Sequence, residues 1–181
     1  MSEIIEFIEF PKLARLAREI VVTEKLDGTN AQIYITEDGL LLPGSRTRWI
    51  TPKDDNFGFA AWVNENRDEI LKLGPGRHFG EWWGCGIQRG YGLREKRFSL
   101  FNVTRWDGDG RPSCCHVVPT LYRGEFSQES INAALSELAM NGSRAVPGFT
   151  KPDGVVVFHV AAGVGFKKTI EKDDVPKGMQ R

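Results

Sequence analysis

Thr23-Glu24-Lys25-Leu26-Asp27-Gly28-Thr29-Asn30 follows the apolar run Ile20-Val21-Val22 and leads into Ala31-Gln32-Ile33-Tyr34-Ile35. Ile20 to Lys25 reads as a strand. In the following run, Ala31, Ile33 and Ile35 alternate with Gln32 and Tyr34, the pattern of a half-buried strand. A lysine therefore ends one strand, and Asp-Gly turns the chain toward the next. Asp38-Gly39 is a hairpin turn, and Leu40 to Leu42 returns along the second strand. Further out, Arg77 to Trp83, Phe98 to Trp106, Val117 to Tyr122, Val155 to His159 and Val164 to Thr169 also read as strands. Phe59, Ala60, Val63, Ile70 and Leu71 have helical spacing, stopped at Gly74. Ser127 caps a second helix carrying Ile131, Leu135, Leu138 and Ala139 and ending near Gly142. A short helix is expected from Pro11 to Arg18, with Leu13 and Leu16 on one side. Strands outnumber helices, close turns favour antiparallel pairing, and no βαβ unit is apparent. The expected fold is α+β: antiparallel sheets forming a cleft, with helices outside.

The 181 residues suit one domain. Five Trp and eleven Phe within a 40% hydrophobic composition supply a sizeable core and exclude wholesale disorder. The 24 basic and 24 acidic residues cancel, so an electrostatic footprint for a polynucleotide must be a local patch. The first residues carry charges throughout and no later run approaches a membrane span, so a cytoplasmic protein with no membrane partner is expected. Cys85, Cys114 and Cys115 are an odd set with two adjacent members, which suits reduced thiols better than a disulfide framework. Cys114, Cys115 and His116 are too close in sequence to wrap a tetrahedral zinc ion.

Five stretches carry candidate chemistry. Lys25, at a strand end before Asp27 and Gly28, is a sensible nucleophile. Lysine attacks phosphorus only as the neutral amine, which nearby cations and a dry cleft favour. Taken alone, Lys-x-Asp-Gly is common and usually marks an ordinary tight turn. In Phe79-Gly80-Glu81-Trp82-Trp83-Gly84 a carboxylate stands among aromatics, suited to a ribose hydroxyl or a metal-bound water. In Phe98-Ser99-Leu100-Phe101-Asn102 the two phenylalanines face opposite ways, so one can stack on a base while the other packs into the core. Asp153-Gly154-Val155-Val156-Val157 sends an acid into a buried strand. Gly165-Phe166-Lys167-Lys168-Thr169 puts paired lysines beside apolar residues, which suits a triphosphate.

The order of these stretches is more telling than any single one. Together they resemble motifs I, III, IIIa, IV and V of the covalent nucleotidyltransferase superfamily of DNA ligases, RNA ligases and mRNA capping guanylyltransferases. Glu24 to Asn30 resembles the ATP-dependent RNA ligases in particular, especially the nick-sealing branch, and Ser45-Arg46-Thr47 resembles that family's arginine segment. The resemblance runs from about Val21 to Thr169. It implies a nucleotide-binding cleft in a single nucleotidyltransferase domain over 1–181, without the C-terminal domain that grips nucleic acid. It implies that Lys25 takes AMP from ATP, releasing pyrophosphate, then passes it to a 5′-phosphate, from which a 3′-hydroxyl displaces it. Asp27 belongs to the catalytic set. Glu24, Gly28 and Asn30 flank the nucleotide, Glu24 partly through backbone contacts. Arg46 reaches the sugar or phosphates, and Phe101 rather than Phe98 stacks on adenine. Glu81 holds the ribose or, with Asp153, a hydrated Mg²⁺, for which Mn²⁺ can substitute. Lys167 and Lys168 neutralise phosphates. The implied partners are RNA with 5′-phosphate and 3′-hydroxyl ends, a nicked duplex, and an accessory protein or subunit; the implied biology is nucleic-acid repair. Asp153 stands where the family usually has Glu, and Thr169 where it usually has the second lysine of Lys-x-Lys. On an alternating strand Lys168 faces away from Lys167 unless a bulge intervenes. The competing expectations are an ATP-dependent DNA ligase core, a guanylyltransferase, and a degenerate module that binds nucleotide or RNA without completing ligation.

Overall fold

The computed structural model describes residues 5–173, so the ends of the expected 1–181 domain lie outside the described residues. Among the described residues, nine strands form two sheets. The first contains β1 (Glu19–Lys25), β7 (Thr120–Glu125), β8 (Gly154–His159) and β9 (Val164–Thr169), in the order β7-β1-β8-β9, all antiparallel. The second contains β2 (Thr29–Ile35), β3 (Leu41–Gly44), β4 (Gly76–Gly84), β5 (Lys96–Leu100) and β6 (Cys115–Val117), in the order β3-β2-β4-β5-β6. Its pairs are antiparallel except for β5 with β6, which run parallel. The architecture is α+β, as expected, with this one parallel pair added.

Each sheet has its own helical cover. Ile20 and Val22 of β1 and Val155 and Val157 of β8 bury themselves against Ile131, Ala134 and Leu138 of α4 (Gln128–Asn141). Ser127 caps α4, its hydroxyl accepting from the Ser130 N–H at 3.2 Å. Ala31, Ile33 and Ile35 of β2 pack with Trp82, Phe98 and Leu100 under Phe59, Ala60 and Val63 of α1 (Phe59–Glu65) and Ile70 of α2 (Arg67–Ile70). The start of α1 is tied by Asp55, whose carboxylate accepts from the N–H groups of Ala60 and Ala61 at 2.8 and 3.0 Å. A third cluster, including Val21, Leu26, Trp83 and Tyr91, joins the facing sides of the two sheets.

Three sequence expectations change. Residues 11–18 form no helix, and Leu13 and Leu16 are exposed. An eight-residue helix needs a surface to cover, and these leucines have none. The strand expected from Phe98 to Trp106 ends at Leu100. Asn102 then caps a helical turn, α3 (Val103–Trp106), its side chain accepting from the Arg105 N–H. The strand expected from Val117 to Tyr122 divides at Val118-Pro119, where the chain leaves one sheet for the other; proline has no N–H for a ladder.

Candidate active site

Lys25 ends β1, and after three intervening residues β2 opens in the other sheet. Gly28 lies in this crossing against β4. A Cβ there would stand 2.6 Å from the Trp83 Cβ and closer still to the Trp82 carbonyl oxygen, so the turn admits only glycine. The Gly28 N–H donates to Glu81 Oε1 at 3.0 Å, and Asn30 Nδ2 donates to Glu81 Oε2 at 3.1 Å. Glu81 thereby locks the crossing to the second sheet.

The Lys25 amine contacts the Asp153 carboxylate, which reaches it from the residue before β8. Arg89 completes the cluster. Its Nε donates to Asp27 Oδ2 at 3.1 Å, one terminal nitrogen donates to Asp153 Oδ1 at 2.9 Å, and the other to the Lys151 carbonyl at 3.1 Å. Two cations and two carboxylates thus alternate at the crossing. Arg89 is held by the 84–95 loop, whose Ile87 and Tyr91 are buried plugs. The Tyr91 hydroxyl accepts from the Asp27 N–H at 2.9 Å, and burial pushes the phenol's pKa upward, keeping it neutral. No periodic signal marks Arg89, which lies within the glycine-rich run Gly84 to Gly90.

Beside this cluster opens a cleft of about 420 Å³ lined by Asn30, Gln32, Ser45, Arg46, Phe79 and Phe101. Along one face of β4, exposure rises from 1% at Trp83 through 8% at Glu81 to 53% at Phe79, so this face leads from the packed base to open solvent. Phe101 lies in the cleft and is 40% exposed, whereas Phe98 is wholly in the core. Arg46 makes no hydrogen bond or ion pair among the described residues. A second depression, about 230 Å³ between Glu137 and Gly148, includes none of the five motif stretches.

The expected residues divide between two faces of the first sheet. Thr23, Val156 and Lys167 are cross-strand neighbours, as are Lys25, Gly154 and Thr169, and all share one face. Glu24, Val155 and Lys168 share the other, toward α4. Lys168 is accordingly not brought to the Lys25 side: the β8–β9 register is regular, no bulge turns the strand, and its amine donates to Asn132 of α4 at 3.1 Å. The Glu24 carboxylate is committed to a loop, accepting from the Ser143 hydroxyl at 2.6 Å and the Arg144 and Ala145 N–H groups at 2.8 and 2.9 Å. Burial pushes its pKa up, partly offset by these bonds. Among the described residues, no three acidic, histidine or cysteine side chains converge as metal ligands, and no helix is long and apolar enough to cross a membrane.

The RNA ligase family model matches residues 18–168. This chain belongs to the RNA ligase family. Its fold is similar to that of solved Naegleria gruberi RNA ligase variants. One with ATP and Mn is 20% identical, with a TM-score of 0.64, covering 86% of this chain and 51% of that one. Another, with AMP and Mn, is 22% identical, with a TM-score of 0.61 and coverages of 84% and 49%. A third, also with AMP and Mn, is 21% identical, with a TM-score of 0.58 and coverages of 85% and 50%. A search of curated proteins finds no match. The family member described here spans about half the length of the solved ligases it resembles.

Proposed function

We propose that the chain is an ATP-dependent RNA ligase that forms a lysyl-AMP adduct at Lys25. The observation carrying this reading is the Lys25 amine in contact with Asp153, within a charge-balanced cluster, next to a cleft bearing an exposed phenylalanine and an unpaired arginine. The neutral Lys25 nitrogen attacks the α-phosphorus of ATP, the bond to pyrophosphate breaks, and the proton the nitrogen sheds passes to solvent. Positioning and charge neutralisation are the main sources of rate in such a displacement. Phe101 stacks on adenine, Arg46 and Asn30 hold the sugar and phosphates, and Lys167 faces the departing pyrophosphate. Glu24 serves the base through its main chain, since its carboxylate holds the 143–145 loop. AMP then passes to a 5′-phosphate, and a 3′-hydroxyl displaces it to join the ends. An accessory subunit or further domain adds to the grip on RNA.

Asp153 and Glu81 are the carboxylates that would hold Mg²⁺ or Mn²⁺, and the ion would draw charge off phosphate oxygens. An ion shared among one or two carboxylates, waters and a nucleotide needs no three-acid cage. The AMP or ATP and Mn in the similar solved ligases support this pairing of nucleotide and ion.

Incubation with α-labelled ATP and Mg²⁺, followed by denaturing electrophoresis, tests the first step. The expected result is an acid-labile, base-stable label that maps to Lys25 and is lost in Lys25→Ala. Label on another lysine would overturn the assignment. Preference for GTP would favour a capping enzyme, sealing of nicked DNA alone a DNA ligase, and no label a binding module.

A further inference from the structure

One transverse row crosses the open face of the second sheet. Gln32 of β2 pairs with Gly44 of β3 on one side and with Phe79 of β4 on the other. The Phe101 N–H donates to the Phe79 carbonyl at 3.0 Å, extending the row past the end of β5. Trp49 forms an isolated bridge with Gly44 at the opposite end. A Cβ on Gly44 would stand 3.1 Å from the indole, so the bare backbone there lets the ring lie against the sheet. Trp49, Phe79 and Phe101 are 48%, 53% and 40% exposed. From Gly44 to Phe101 the row spans three strand spacings, about 14 Å.

Cations accompany these rings. The Arg77 guanidinium lies 5.1 Å from the centroid of Tyr34 and 5.4 Å from that of Trp49, and it also donates to the Gln32 side chain. Arg46 opens onto the same face without a partner among the described residues. Asp54 is taken by Arg48. Glu81 and Asn30 occupy the next row on the same face, two residues along β4 and β2, or about 7 Å away.

We propose that Trp49, Arg77 and Phe79 form a stacking platform for unpaired bases of an RNA strand whose end lies at the Lys25 cluster, an inference that rests on the ligase reading above. A protein partner would call for an apolar centre depleted of charge. Here Arg77 lies against Trp49, Arg46 lines the same cleft as Phe79 and Phe101, and the row leads into the candidate active site. Bases stack on flat aromatic side chains whatever their sequence, and arginines between the rings track the backbone phosphates. This supplies the local basic, aromatic patch that zero net charge conceals.

The test uses fluorescence anisotropy with a short 5′-phosphorylated single-stranded RNA and with a blunt duplex of the same sequence, alongside self-adenylylation from labelled ATP. Trp49→Ala should weaken single-strand binding about tenfold, leave duplex binding unchanged, and leave lysine labelling at the wild-type rate. Trp49→Phe should stay within about threefold of wild type, because it keeps a ring. Arg77→Gln should weaken binding and lower the slope of log affinity against log salt by about one. Unchanged single-strand affinity in Trp49→Ala, or equal losses for strand and duplex, would overturn the platform. Should Trp49→Ala fail to fold, cross-linking of wild-type protein to 4-thiouridine RNA decides: adducts on Trp49 or Phe79 support the proposal, and adducts only elsewhere refute it. Absence of lysine labelling in the wild type would instead defeat the ligase reading, while the binding arm still judges the platform.

Discussion

Replacing Arg89 with methionine removes a cation from between two carboxylates while keeping most of the side chain's bulk. Asp27 loses its 3.1 Å donor and Asp153 its 2.9 Å donor; Lys151 loses a 3.1 Å donor to its carbonyl. Breaking a buried ion pair from one side costs roughly 3–5 kcal/mol. Arg89 is one-third exposed, so solvent offsets part of that, leaving about 2 kcal/mol. For a chain of this size that is a fall in Tm of roughly 4–8 °C. The kinetic effect should be larger. Asp153 would keep only Lys25 as a charged partner, and a displacement of about 1 Å at a reacting group can cost on the order of 100-fold. Single-turnover lysine labelling by rapid quench, at a temperature where urea melts show both proteins fully folded, isolates this step. Arg89→Lys should recover part of the rate, because it restores the charge without the fork that spans both acids. An Arg89→Met protein that labels Lys25 within about threefold of wild type would refute the reasoning, and Arg89 would then be no more than a loop anchor.

Lys167→Ala should slow lysine labelling by roughly 100-fold and Lys168→Ala only slightly, because the two amines leave opposite faces of β9; equal rates in a quench series would contradict that assignment. Gly28→Ala should destabilise the fold by several kcal/mol, on the order of other backbone clashes, measured by urea melts; a loss under about 0.5 kcal/mol would mean that β4 yields easily. Glu24 has a folded-state pKa above its unfolded value, so its contribution to stability is greatest below the unfolded value and is lost as pH rises through the folded one. The stability of wild type relative to Glu24→Gln should therefore decline from acid toward neutral pH in paired urea melts, and a rise would be the contrary result. Sealing of pre-adenylylated nicks should weaken with salt more steeply than lysine labelling, because polynucleotide binding releases counterions; parallel salt curves would argue otherwise.

The strand pattern was legible because side-chain alternation leaves a trace in sequence: Ala31, Ile33 and Ile35 do line one face, and Val164 to Thr169 forms β9 with the expected limits. Alternation also separated buried Phe98 from cleft-lining Phe101 and turned Lys168 away from Lys167. Features set by long-range contacts left no such trace. The helix expected before Arg18 failed for want of a surface to cover. Arg89 was missed because its position follows from a non-periodic loop held by Ile87 and Tyr91. The Glu24 carboxylate could not be assigned to the 143–145 loop from sequence, since about 120 residues separate them.

The crossing at Leu26, Asp27 and Gly28 behaves like the spine of a book whose leaves are the two sheets. Lys25 and Asp153 belong to one leaf, joined through the pairing of β1 with β8, so nucleophile and acid are held on the same sheet. Phe101 and Arg46 ride on the other leaf. Their distance from Lys25 is set by how the two sheets pack through Val21, Leu26, Trp83 and Tyr91. A nucleotide touching both leaves would act as a strut between them, beyond the cluster that already joins their facing sides, and amide exchange would slow in both when it binds. Alignment of the phosphate for attack then depends on the angle between the sheets as well as on single side chains such as Arg89.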